Sequence, residues 1–329
     1  MVLVLAREQI LEVLSYPDVI DVVERAHAAH AEQVAVQPER PVVHIPGSDA
    51  LMVPMIAATG PDAAGVKLLM DLPSNRDVGR PPQQSTVVLV DPQTGECTAF
   101  LDGGAITLFR TAAASAVATR HLARPGTVTL GLIGAGAQAH AHLQAIRCVR
   151  EVERVLVWNR TAESAARFAA ATTAATGLTV KVMASPEEVV RAADVVCTLT
   201  PTLTPSVCGE WFAPGLHVNA VGAPPRPEYR EIDSDGIARS RVVVDSFETA
   251  LAESGDVLFP LRENRITPDH FRDELGQVII GARPGRSSAE EITLYDSVGV
   301  GIQDIAAAHL AVDRARRAGL GTEISVNGR

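Results

Sequence analysis

The sequence predicts an α/β protein in which a doubly wound parallel sheet is inserted in an α+β region made from the two ends of the chain. Three observations predict this. From residue 128 onward, short apolar runs alternate with helical stretches, the rhythm of β-α-β units. Residues 40–100 instead carry short apolar runs separated by Gly, Pro, Asp and Asn, the texture of strands joined by turns. And 329 residues, 47% hydrophobic and 21% charged, suffice for two buried cores. The boundaries are expected at 1–111 plus 297–329 for the outer domain and 112–296 for the insert.

Residues 7–35 carry helical spacing, with Ile10, Leu11 and Leu14, then Val19, Val22, Val23 and Ala26 after a break at Pro17. The runs 41–45, 51–56, 65–70 and 86–90 read as mostly antiparallel strands, and 91–96 as a hairpin loop leading into 97–100. An alanine-rich helix follows at about 105–122 and stops before Arg124-Pro125-Gly126. Strands are then expected at 128–133, 154–158, 180–183, 194–200, 216–221 and 242–245. Helices lie between them at 138–150 and at 161–176, the latter stopped by Gly177. Ser185-Pro186-Glu187-Glu188 is a capping box with proline at the first helical position, opening a helix to Ala193. A last helix covers about 297–319.

A net charge of -10 and the lack of a basic run disfavour nucleic acid and anionic membranes as partners. No run is long and apolar enough to span a bilayer, and the first residues do not read as a signal peptide. Cys97, Cys148, Cys197 and Cys208 form no paired spacing and read as small buried residues in a reducing compartment. A cytoplasmic globular protein is expected. His27 and His30 have helical spacing, but no carboxylate or cysteine pattern joins them; they read as a solvated or packing face, and no metal site is expected. His140 and His142 read as helix-face or packing residues, and Arg283–Ser288 as an exposed loop. Hydrolase, zincin and P-loop motifs are absent.

The strongest local signal is Gly134-Ala135-Gly136-Ala137-Gln138-Ala139, with a strand before it and a helix after it. Gly134 permits the tight turn, Gly136 lets a diphosphate approach the backbone, and Ala139 allows close helix–strand packing. Exposed amides and the helix dipole favour the anion. This is the dinucleotide fingerprint of a Rossmann-type domain. The second strand ends in Asn159-Arg160-Thr161 with no carboxylate for a ribose 2′-hydroxyl. Arg160 can instead fork onto a 2′-phosphate, with Asn159 and Thr161 as neutral donors, so NADP(H) is expected in preference to NAD(H).

Three cations sit in apolar settings: Arg40 before Pro41-Val42-Val43, Lys67 within Gly65–Met70, and Arg110 at the start of the alanine-rich helix. Such cations need an anion, and a guanidinium fork suits a carboxylate; snorkelling or pairing with a structural Asp is the alternative.

The combination of Gly134–Gln138, Trp158–Thr161, Arg110–Ala113, Val218–Ala223 and Glu253–Asp256 resembles the ornithine cyclodeaminase/mu-crystallin family over nearly the whole chain. The resemblance implies a Rossmann domain inserted in a substrate-binding and dimerising domain, and a homodimer. It places Arg40, Lys67 and Arg110 at the substrate-carboxylate site. It assigns Gln83, Gln84, Thr111, Gly134, Ala135, Gly136, Ala137, Gln138, Asn159, Arg160, Thr161, Thr200, Val221 and Ser297 to the cofactor site. Asn159-Arg160-Thr161 is similar to the NADPH-preferring mu-crystallin branch. True cyclodeaminases carry an Asp just after the Asn-Ala-Val-Gly strand, where this chain has Pro224 and Pro225, which cannot exchange a proton; Glu228 follows close behind. Cyclodeamination is therefore disfavoured. The expected activity is NADPH-dependent reduction of the C=N bond of a small carboxylated imine, with Lys67, its pKa depressed between Arg40 and Arg110, either hydrogen-bonding the carboxylate or relaying a proton directly or through water. An amino-acid dehydrogenase or cyclodeaminase-type enzyme acting on an amino acid, and a cofactor-dependent ligand-binding protein without turnover, are the alternative readings.

Overall fold

Buried and more exposed side chains alternate along most of Leu51–Gly60 and through the second halves of Gln83–Val90 and Cys97–Asp102, and these strands, with Ala63–Asp71, pair antiparallel in sequence order. The computed structural model describes residues 1–61 and 63–326. They divide into two units, Met1–Thr111 with Gly299–Arg329, and Ala112–Val298. In the first unit Val2–Leu5 joins the sheet parallel to Cys97–Asp102, and Thr322–Ile324 closes that edge. At the other edge Val43–His44 is all that forms of the strand expected at 41–45, because Pro41 and Pro46 flank it and give no ladder donor.

The helices Arg7–Val13 and Tyr16–Ala31 break at Leu14–Ser15. Pro17 does not separate them; it lies in the first turn of the second, where its missing N–H costs nothing. The helix Gly301–Ala318 packs on Tyr16–Ala31 and covers one sheet face. That contact is close: a Cβ on Gly65 would lie 2.3 Å from the Val88 carbonyl oxygen and 3.1 Å from Ile305. Lys67 lies in register with Met55 and Val87, all three buried, while Ile56 and Leu68 point out on the opposite face.

The second unit is an eight-stranded, all-parallel sheet. Its order is Asp273–Glu274, Arg241–Val244, Thr293–Asp296, His217–Ala220, Val195–Thr198, Val128–Ile133, Val152–Trp158, Thr179–Val182. The interior strands are rich in Val and Leu, as burial on both faces favours; Leu130, Leu132, Val155, Val157, Val196, Val218 and Val243 are fully buried. Strand order reverses between Val128–Ile133 and Val195–Thr198, the switch point at which doubly wound sheets open a crevice. Thr293–Asp296, inserted between two earlier strands, and the short helices Ser234–Arg239, Phe247–Glu253, Gly255–Arg262 and Leu275–Ile279 carry too few residues to display a period. Ser185 caps Pro186–Ala192 by accepting from the Glu188 amide at 3.2 Å, but the Glu188 carboxylate reaches back to the Ala184 amide rather than to that of Ser185. No helix among the described residues is long and apolar enough to cross a membrane.

Candidate active site

In the first unit, two sequence-distant cations meet on one buried carboxylate, with a third cation, Arg40, held nearby. Lys67 Nζ lies 2.7 Å from Asp304 Oδ2, and Arg110 Nε donates to Asp304 Oδ1 at 3.0 Å. Asp304 is fully buried and sits in the first turn of Gly301–Ala318, where the helix dipole favours an anion. The neighbouring Gln303 accepts from Arg110 Nη1 at 3.0 Å, and its amide donates to His27 Nε2 at 3.0 Å. Of the two roles expected for His27, solvated or packing, the second holds: it is a buried acceptor, and burial holds it neutral, its pKa lowered to about 3. Arg40 donates to the Gly299 carbonyl at 2.6 Å. Gly299 has φ +74°, and a Cβ there would lie 2.6 Å from Arg110 Nη1, so only glycine lets the guanidinium lie where it does.

Lys67 is drawn down from the ordinary lysine value to about 7, first by burial, then by the charge of Arg110 and, more weakly, Arg40. Asp304 opposes that fall. The resulting ammonium can lose and regain a proton near neutrality, which an ordinary lysine does not do. The surplus of positive charge invites a carboxylate. Among the functional residues here, Asp304, Gln303 and His27 were missed by sequence reasoning; the one available signal was an acidic residue inside the apolar stretch Gly301–Ala308.

In the second unit the glycine turn is as tight as its sequence requires. Gly134 has φ +114°, its amide donates to the Trp158 carbonyl at 2.8 Å, and a Cβ would touch the Leu199 carbonyl oxygen at 3.0 Å. Around Gly136 the space is open, since a Cβ there meets nothing within 4 Å. Gly136 starts the helix Ala137–Arg147, which no side chain caps, and Ala139 is buried beneath it. The uncapped amides and the open approach form a cradle for a phosphate-bearing group. The side-chain Oε1 of Gln138 is buried and has no hydrogen-bond partner among the described residues. Asn159 accepts from the Ala135 amide at 3.2 Å and donates to the Thr161 carbonyl at 3.1 Å, tying the end of the second strand to the turn. Arg160 is exposed between them with no ion pair among the described residues, and Thr161 opens the next helix.

Thr200 and Val221 are brought to the same switch-point edge, but their amides are engaged. Glu231, fully buried, accepts from Thr198 Oγ1, from the Thr200 amide and hydroxyl, and from the amides of Val221 and Gly222, at 2.6 to 3.3 Å. Those two positions can therefore offer a ligand their carbonyls or side-chain surface, not their N–H groups. Ser297 is buried, with its hydroxyl 3.5 Å from Asp245. Near it Ser254 and Asp296 each leave one buried oxygen unpartnered, in a small cavity that Pro224 and Pro225 also line; Glu228 is exposed elsewhere on the loop. Gln83, Gln84 and Thr111 belong to the first unit. The two glutamines are exposed on Gln83–Val90, with Gln83 donating to Asp71, and Thr111 follows Arg110 with a buried, unpartnered hydroxyl. His142 is a packing residue: its Nδ1 donates to the Gln138 carbonyl at 2.8 Å, and its Nε2, 3.0 Å from Ser115 Oγ, accepts from that hydroxyl. His140 lies against Phe168.

These features coincide with a family pattern. The ornithine cyclodeaminase/mu-crystallin family model matches residues 2–319. The chain belongs to that family. It is 40% identical over 313 residues to a Δ1-pyrroline-2-carboxylate reductase of Bacillus cereus, covering 92% of this chain and 94% of the relative. It is 39% identical over 278 residues to the mouse ketimine reductase mu-crystallin, covering 84% of each. The solved structure of Thermococcus litoralis Δ1-pyrroline-2-carboxylate reductase in complex with NADH and L-proline superposes with a TM-score of 0.94 at 35% identity, over 98% of this chain and all of the other.

Proposed function

We infer that this protein is an NAD(P)H-dependent oxidoreductase that reduces the C=N bond of small α-imino acids. The observation that carries this reading is the convergence of Lys67 and Arg110 on buried Asp304, with the charge of Arg40 also acting on Lys67, in a chain similar to pyrroline-2-carboxylate and ketimine reductases. Arg40 and Arg110 bind the α-carboxylate and orient the imine carbon, and Lys67 delivers a proton to the nitrogen. The reduced nicotinamide, when bound, supplies the hydride. The glycine turn holds the diphosphate, with Gly134 fixing the turn, Gly136 leaving room and Ala137 and Gln138 presenting amides. Arg160, exposed after the second strand with no ion pair among the described residues, selects the 2′-phosphate of NADPH over NADH. Pro224 and Pro225 give the cavity beside Ser297 no exchangeable proton from that loop, which supports reduction over cyclodeamination. The exposed apolar face carrying Val36, Ile56 and Leu68 supports a homodimer joined through the first unit's sheet.

The test is NADPH and NADH oxidation with Δ1-pyrroline-2-carboxylate, Δ1-piperideine-2-carboxylate, and 2-oxo acids with amines. Turnover of the cyclic imines with NADPH preferred is expected, with Arg160→Ala erasing most of the preference. No turnover on any imine despite dinucleotide binding would sink the reading.

A further inference from the structure

We propose that Asp304 is the positioning residue of the cation cage: its two oxygens hold Lys67 and Arg110 in place, and its charge keeps Lys67 protonated for delivery to the substrate nitrogen. This rests on the reductase reading above and names a residue that reading did not require.

The geometry divides the carboxylate between its partners, Oδ2 to Lys67 and Oδ1 to Arg110, with no solvent access. The two cations depend on it unequally. Arg110 is held a second time by Gln303, which His27 fixes from behind, whereas Asp304 is the one ionic partner of Lys67 among the described residues. The charges that face Lys67 are Asp304 from Gly301–Ala318, Arg110 from Gly103–Leu122 and Arg40 from the segment before Val43–His44. Its strand neighbours across the ladder, Met55 and Val87, are apolar, and His27 is neutral. With Asp304 discharged, Lys67 and Arg110 would lie side by side in a buried place without the carboxylate between them. Of the two only the lysine can relieve that by giving up its proton, since guanidinium stays charged. The value near 7 is thus the result of burial and Arg110 pulling down against Asp304.

The decisive variant is Asp304→Asn, which keeps an oxygen for Arg110 and removes the charge. The alkaline limb of the kcat profile, set by the protonated lysine, should move to lower pH by at least about one unit. At pH 7 kcat should then fall at least about fivefold, without a rise in KM. Asp304→Glu should return the limb toward its original position even if kcat stays low. A limb that does not move, with kcat lowered equally at every pH and KM raised, would show scaffolding alone and overturn the proposal. Binding of pyrrole-2-carboxylate supplies a readout that needs no turnover. Calorimetry in buffers of different ionisation enthalpy, from about pH 5 to 9, should place the maximum of proton uptake at lower pH in Asp304→Asn than in the parent. A parent that binds this analogue but reduces no imine sinks the reductase reading and leaves Asp304 to this measurement; identical proton uptake in both chains sinks the role of Asp304.

Discussion

The cation cage around Asp304 and the glycine turn after Ile133 recruit their residues over very different distances along the chain. The turn is local: Gly134, Gly136 and Gln138 lie within one strand–helix junction, and Asn159 closes it from the adjacent strand. The cage joins Arg40, Lys67, Arg110 and Asp304 from a loop, a central strand and two helices. The turn needs backbone freedom, so its requirement shows as glycine. The cage needs paired charge in a dry place, so its requirement shows only as charged residues inside apolar runs, with nothing to say which pairs with which. One is a fragile shape and the other a fragile charge balance, and each should break in its own way.

The largest effect is expected where the cage loses a cation. Arg110→Ala leaves Asp304 with Lys67 alone and removes half of the carboxylate clamp. Turnover should fall by about a thousandfold or more, while dinucleotide affinity measured by fluorescence titration stays within about threefold. An equal loss of dinucleotide affinity would mean that the two subsites are not separable. The shape-dependent turn should show the converse. Gly134→Val puts a β-branched side chain at φ +114° against the Leu199 carbonyl, so dinucleotide affinity should fall by about a hundredfold with pyrrole-2-carboxylate binding preserved. Gly299→Ala sharpens the contrast, because the same kind of backbone constraint there displaces Arg110 and should raise KM about tenfold instead.

Much of the fold was legible because its long elements have clear periods. The strand Val128–Ile133 and the helix Ala162–Thr176 fall within a residue of expectation, since a mostly apolar run, a threonine start and a terminal glycine mark their ends. Thr293–Asp296 was not legible: four residues display no period, and the strand exists because the sheet offers a place between His217–Ala220 and Arg241–Val244. Within the cage the three cations stood out singly as misfits in apolar surroundings. Asp304 did not, because an acid on an amphipathic helix is ordinary until its neighbours are known. Glu231 was hidden because an acid in a polar loop is equally ordinary, although it fastens the ends of two parallel strands, Val195–Thr198 and His217–Ala220. Glu231→Gln replaces an acceptor by a donor among five donors, and a loss of about 3 kcal/mol in urea unfolding is expected, with weaker dinucleotide binding as a consequence. Unchanged stability would show that those loops hold themselves.

The smallest effect separates the two units by proton uptake. Burial lifts Asp296 to about 7, with the charges of Asp245 and Glu231 adding to the rise, so the folded chain holds a proton there that the unfolded chain releases above its ordinary value near 3.8. That stabilisation is full below 3.8 and is lost as pH rises through 7. In the same unit burial lowers His142 to about 4 and His217 to about 3, from 6.5. Their contribution is full above 6.5 and is lost as pH falls through those values, so between about pH 4 and 6.5 the acid and the histidines work in opposite directions. Asp296→Asn deletes the opposing proton. Stability should then fall more steeply on acidification across that window, by about 1.4 kcal/mol more per pH unit, and the variant should gain relative to the parent as pH rises toward 7. Urea midpoints at several pH values read this directly. A slope identical to the parent's would mean that Asp296 is ionised in the fold, and the second unit would then share with the cage a reliance on buried charge that its hydrogen bonds do not suggest.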